Sequence, residues 1–151
     1  MKSAARAIII HNDNLLVMKR EKFGDLYYTL IGGHVEMNES TEKALLREVH
    51  EETMLHVANP RLVFIERTPA PYGNQYVYLV DYISGVPMLH QNADERHINK
   101  GGVNIYTPMW VPLSDLPKLN FRTEELKQRI IAGAKSGFPT QVEEFTTSSV
   151  G

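Results

Sequence analysis

A chain of 151 residues, 42% hydrophobic and 23% charged, is sized for one folded domain that can bury a real core. Its formal net charge of −2 argues against a general nucleic-acid or anionic-membrane surface, and the lack of cysteine removes disulfides and thiolate metal sites. The longest early apolar run, Ala7–Ile10, is too short for a signal segment or a membrane span, so a soluble cytoplasmic protein is the default expectation.

In chain order, Ala4–Ile10 and Leu15–Lys19 are rich in strand formers. The turn formers His11-Asn12-Asp13-Asn14 separate them, which predicts a hairpin. Arg20–Leu26 is a charged loop, and Tyr27–Ile31 is a strand that delivers the chain to Gly32-Gly33. Residues 40–53 form one helix, with Ser40 as its N-cap and Ala44, Leu45, Leu46 and Val49 at helical spacing. Leu62–Arg67 and Gln75–Ile83 are strands around a turn at residues 69–73. The second is apolar or aromatic on both faces, as an interior strand would be.

Gly85–Gly102 is polar and irregular, and long loops of this kind inside a domain are usually functional or disordered. Val103–Pro112 resumes a strand that Pro108 confines to an edge or a bulge. A turn at Ser114–Pro117 leads to a helix over Thr123–Lys135, with Leu126, Ile130 and Ile131 as its stripe. Residues 139–151 are rich in Thr and Ser and predict a flexible tail behind a single domain of residues 1–138. Strands, a helix, more strands and a late helix suit a mixed sheet between two helical layers.

The helix at residues 40–53 carries the chemistry. At about 100° per residue, with Leu45 at zero, Val49 lies at about +40° and Leu46 at about +100°, marking the buried side. Glu52 then lies at about −20°, Glu48 at about −60° and Glu51 at about −120°, so three carboxylates share a sector that borders the core. Like charges at these spacings destabilise a helix by about 0.2–0.5 kcal/mol per pair. A divalent cation among them removes that cost, and oxygen ligands suit hard ions, Mg²⁺ or Mn²⁺ before zinc. A solvated acidic face is the plainer alternative, weakened by the apolar stripe beside the acids and the glycine loop before them.

This stretch resembles the Nudix box. Gly33, Glu39, Arg47, Glu48, Val49, Glu51, Glu52 and Leu55 match its pattern at the required spacing, and Met54 stands where the family has glycine. Met54 either holds a left-handed conformation, at a cost of about 1 kcal/mol, or lets the helix run further. Asn38, where relatives often have glycine, tolerates positive φ well. The resemblance spans roughly Ala4 to Ser136 and implies an α/β/α sandwich. It implies hydrolysis of the pyrophosphate linkage in a nucleoside diphosphate derivative: a nucleotide sugar, ADP-ribose, a dinucleotide or a nucleoside triphosphate.

By the same resemblance, the Gly32 carbonyl, Glu48, Glu51 and Glu52 hold Mg²⁺ or Mn²⁺, Arg47 orients the acids and Glu39 braces the loop. Glu36 either touches metal or is solvated. The catalytic base is a box glutamate or an acid on a later loop, for which Glu95 is the candidate and a solvated loop charge the alternative. Arg6, Arg20 and Arg67 are candidates for phosphate contacts, His34 for another beside the glycine loop, and Tyr28 for an aromatic shelf, with surface or core placement as the competing reading of each. The expected partner is a small nucleotide, not polymeric nucleic acid or membrane, and relatives are often homodimers. A catalytically weak nucleotide-sensing module on the same fold is the alternative, motivated by Met54.

Overall fold

A computed structural model describes residues 2–70 and 72–148. In chain order the elements are β1 (Ser3–His11), β2 (Asn14–Lys22), β3 (Asp25–Thr29), β4 (Ile31–His34), α1 (Thr41–Thr53), β5 (His56–Arg67), β6 (Asn74–Ser84), α2 (Asp94–Asn99), β7 (Asn104–Pro112), a 3₁₀ turn at Leu113–Lys118, α3 (Glu124–Ser136) and β8 (Glu143–Thr146). The strands run β4-β1-β6-β5-β8 in one mixed sheet, with β1 parallel to β6 and β5 parallel to β8. An antiparallel set, β3-β2-β7, joins it through the tip of the β1–β2 hairpin.

Strand alternation decides which residues meet which helix. Ala5, Ala7 and Ile9 of β1, Leu16 and Met18 of β2 and Tyr78 and Val80 of β6 pack on Ala44, Leu45 and Val49 of α1. Their neighbours Ile8, Leu15, Val17 and Val77 turn to the opposite face and pack with Leu126 and Ile130 of α3. The result is an α/β/α sandwich with a helix on each face of the sheet. As expected, β6 lies inside the sheet, and β7, which carries Pro108, pairs among the described residues with β2 alone. No helix of the described residues is long and apolar enough to cross a membrane.

Several local expectations are corrected. Arg20–Leu26 is not a loop: β2 continues to Lys22 and turns into β3 through Phe23 and Gly24, both at positive φ. Gly85–Gly102 contains α2. Leu46, expected on the buried side, is 41% exposed, because the buried arc of α1 runs from Ala44 through Glu48, Glu52, Leu45 and Val49 to Thr53 and ends short of it. The stretch expected as a flexible tail forms β8, pairing with the otherwise open edge of β5 and burying Phe145 against Phe64. One aromatic among Thr and Ser residues suffices there because the edge strand offers unpaired backbone groups. The domain therefore runs past residue 138; residues 149–151 of the expected tail, and Pro71 of the expected turn, lie outside the described residues.

Met54 takes the first of its two alternatives. It ends α1 in the left-handed conformation at φ 58°, with its N–H donating to the His50 carbonyl. Asn38 likewise sits at φ 64°.

Candidate active site

Two glycines bring the chain close enough to build the site. Gly32 has φ 146°, and a Cβ there would fall 2.0 Å from the Ala5 carbonyl oxygen. A Cβ at Gly33 would fall 2.7 Å from the Glu48 carboxylate. Without side chains, β4 can lie against both β1 and the acidic flank of α1. The Gly32 N–H then donates to Glu52 Oε1 at 2.7 Å.

Arg47 organises the other side. Its Nε and Nη2 donate to the two oxygens of Glu39 at 2.8 and 3.0 Å, and its Nη1 donates to Glu48 Oε1 at 2.9 Å. Nη2 also reaches the His34 carbonyl at 3.1 Å, and Nη1 lies 3.5 Å from Glu51. Arg47 therefore touches Glu39, Glu48 and, at i,i+4, Glu51 together. Glu39 in turn accepts from the Glu36 N–H at 3.0 Å, which closes the loop. The paired guanidinium depresses the Glu39 carboxyl to about 2, and the carboxylates raise the already high pKa of Arg47. Glu36 lies 3.8 Å from Arg47 at the rim.

The third acid comes from far along the chain. The segment before α2 is fastened to the free carbonyls at the end of α1: Met88 N–H donates to Thr53 O at 2.9 Å and His90 N–H to Glu51 O at 2.8 Å. At the far end, Asn99 exchanges two hydrogen bonds with the Tyr106 backbone, at 2.9 and 2.7 Å. Held at both ends, α2 aims Glu95 at α1. Oxygens of Glu48, Glu52 and Glu95 all lie within 4.8 Å of one another. Glu51, the acid farthest from the core on the helical wheel, lines the same cleft but lies outside that trio.

Crowding and burial act on these acids together. Glu52 is 4% exposed; burial first, then the charges of Glu48 and Glu95, hold its pKa well above the usual carboxylate range. Glu48 is raised by burial, with Arg47 opposing. Buried like charges this close call for a counter-charge. Three oxygen donors from two elements, with the nearby Gly32 carbonyl, are a donor set that suits a hard divalent cation. That carbonyl accepts from Arg6 Nη1 at 3.0 Å, and a carbonyl has a second lone pair to offer.

The acidic cleft opens into a second cavity of about 520 Å³, and Arg6, Arg20, Thr29, Leu30, His34 and Tyr106 line both. Arg6, Arg20 and His34, three of the candidates for phosphate contacts, thus line the junction of cleft and cavity. Burial and the charge of Arg6 push the His34 pKa down. Two expectations fail. Tyr28 packs with the α3-side core, and strand alternation puts its neighbour Tyr27 into the cavity instead. Arg67 points away and pairs with Glu144 at 2.7 Å, while Glu66 beside it faces the cavity. Sequence reasoning also missed Tyr106 and Arg122. The period of two along β3 and β5 was the available signal for Tyr27 and Glu66. For Arg122, placed by the approach of α3 to β3, there was none.

The NUDIX domain family pattern matches residues 1–132. The NAD-capped RNA hydrolase NudC of Edwardsiella ictaluri is 34% identical over 77 residues, covering 51% of this chain and 30% of that protein. The chain therefore spans about a third of the length of the curated relatives it matches. Among solved structures, a NUDIX hydrolase from Nitrosomonas europaea superposes with a TM-score of 0.67 at 21% identity, over 90% of this chain and 89% of the other. An ADP-ribose pyrophosphatase from Streptococcus suis superposes with a TM-score of 0.63 at 19% identity, over 97% and 98%. At these identities the superpositions speak for the fold. With the family pattern running through the glycine loop, α1 and most of the sheet, the chain belongs to the Nudix family.

Proposed function

We propose that this chain is a divalent-cation-dependent hydrolase that cleaves the pyrophosphate linkage of a nucleoside diphosphate derivative. The observation that carries the reading is the convergence of Glu48, Glu52 and Glu95 at the mouth of a cavity lined by arginines and tyrosines. The substrates in the relatives' names, NAD-capped RNA and ADP-ribose, share a pyrophosphate between adenosine and a second group, and that linkage is what we carry over. Glu48, Glu52, Glu95 and the Gly32 carbonyl would hold a Mg²⁺ or Mn²⁺ ion, which when bound would neutralise phosphate charge and make the attacking water more acidic.

The protein's own groups do the rest. Arg47 and the Gly32 N–H fix Glu48 and Glu52 in place before substrate arrives. Arg6, Arg20 and His34, at the junction of cleft and cavity, meet the phosphate oxygens. Glu95 is the most exposed of the trio and comes from a separate element, which favours it as the group that takes a proton from the attacking water. Met54 ends α1 in the left-handed conformation while Glu48 and Glu52 line the cleft, which supports the catalytic reading over the non-catalytic one.

The test is turnover of a panel of nucleoside diphosphate derivatives with Mg²⁺ or Mn²⁺, with the products identified by mass. Glu52→Gln is expected to lower kcat by at least a hundredfold while leaving the melting temperature at or above that of the parent. Undiminished turnover in Glu52→Gln, or no turnover of any substrate by the parent, defeats the assignment.

A further inference from the structure

The cavity beside the carboxylates holds a buried acid that the chemistry above leaves idle. Glu66 is 2% exposed and lines that cavity from the end of β5. Its Oε2 accepts from the Thr123 hydroxyl at 2.5 Å and from the Thr147 hydroxyl at 2.6 Å. Among the described residues Oε1 has no donor. It is not among the sealed polar atoms that lack a partner, so it is open to the cavity, where a ligand N–H or O–H can supply its donor.

The walls narrow the choice. Arg122 lies over the Tyr27 ring at 3.9 Å, and Arg20 lies over the Tyr106 ring at 3.6 Å. Both arginines keep a buried Nε without an acceptor. The cavity therefore offers flat guanidinium–tyrosine surfaces, arginine side chains in its walls and one acceptor open to a donor. It is large enough for a base and its sugar. A base that fits needs adjacent N–H donors on one edge and acceptors on another. Guanine has both: N1–H beside the 2-amino group, and O6 beside N7. Adenine puts its N1 acceptor beside the amino group, cytosine its N3 acceptor, and uracil flanks its single N–H with two carbonyls. None of these presents two N–H groups side by side along one edge.

We propose that this cavity binds the base of the nucleotide and that Glu66 selects it, accepting the paired N–H donors of a guanine-type base through Oε1. The inference deepens the hydrolase reading and rests on it. It also separates this chain from relatives named for adenosine-containing substrates.

Binding of GMP, IMP and AMP to the intact chain by calorimetry, without metal, tests it. GMP is expected to bind about tenfold to a hundredfold more tightly than AMP. IMP, which keeps N1–H but lacks the 2-amino group, falls between them. In Glu66→Gln the amide oxygen keeps both threonine hydroxyls and the NH₂ replaces the free acceptor, so the preference for GMP disappears while the melting temperature is retained. Should that variant fail to fold, the GMP:IMP:AMP order in the unaltered chain decides alone. Equal affinities, IMP equal to GMP, or AMP the tightest each overturn the proposal. Turnover with Mg²⁺ separates the two readings. GMP preference without hydrolysis of any nucleotide removes the hydrolase and keeps the base pocket; hydrolysis indifferent to the base removes the pocket assignment and keeps the hydrolase.

Discussion

Glu52 carries the strongest tension at the scale of single residues. It receives one backbone N–H, from Gly32, and is otherwise buried next to Glu48 and Glu95. Both Glu52 and Glu48 have pKa values raised above the ordinary 4.5. Raised carboxyls bind more protons in the folded than in the unfolded chain, so their stabilising contribution is complete below the ordinary value and is lost as pH rises through the folded pKa. Glu39, depressed to about 2, has the opposite sign: its contribution is present above the ordinary value and is lost only on acidification towards 2. In chelator, the melting temperature is therefore expected to fall as pH rises above the ordinary carboxylate value. Saturating Mn²⁺ or Mg²⁺ should abolish the fall. Glu52→Gln should remove most of it without any metal. Thermal melts across that range check this, and a profile that stays flat in chelator for the parent chain would show that the acids are not strained in solution.

The elements explain how far the sequence could be followed. The order of burial along α1, Glu52 deepest, then Glu48, then Glu51, was readable because a helical wheel needs only local geometry. A glycine loop at 32 and 33 and a tolerance of positive φ at Asn38 were readable for the same reason, whereas at Met54 the sequence left a left-handed end and a longer helix both open. Glu95 could be picked out as an acid on a later loop, but not as a partner of Glu48 and Glu52. Its position depends on hydrogen bonds between residues far apart in sequence, such as His90 to Glu51 and Asn99 to Tyr106. β8 was missed on similar grounds, since its pairing depends on an open edge some 80 residues earlier.

The α2 tether yields a prediction of its own. No residue of α2 is buried, and no side chain caps its N-terminus, so Asn99 is its main attachment to β7. Asn99→Ala removes both bonds and leaves the core intact. It is expected to lower kcat by about tenfold to a hundredfold, as loss of a supporting contact around a metal site does, with little change in melting temperature. Unchanged kcat in the presence of saturating Mg²⁺ would show that Glu95 is held by something else.

At the scale of the whole molecule, the site occupies one end of the sheet, and its two halves are supported from opposite faces. α1 and α2 present the carboxylates, while the N-terminal end of α3 and the turn of chain after β8 close the base cavity around Glu66. That closure depends on β8, which adds four residues to the edge of β5. Phe145 anchors it, edge-on to Phe64 with ring centres 6.0 Å apart, under the Arg129 guanidinium at 3.8 Å. Two residues on, Thr147 donates its backbone N–H to the Arg67 carbonyl at 2.9 Å and its hydroxyl to Glu66. Truncating the anchor should therefore act on stability and on substrate binding together, and much less on chemistry. Phe145→Ala is expected to cost about 3 kcal/mol, the low end for a phenylalanine in a core, since one side of the ring meets an arginine at the surface. Because the trio of acids lies on the other face, KM should rise several-fold while kcat stays within about twofold. Urea unfolding with parallel steady-state kinetics measures both. A midpoint equal to that of the parent would mean that β8 does not hold the sheet edge, and a fall in kcat with unchanged KM would mean that the two halves of the site are not supported separately.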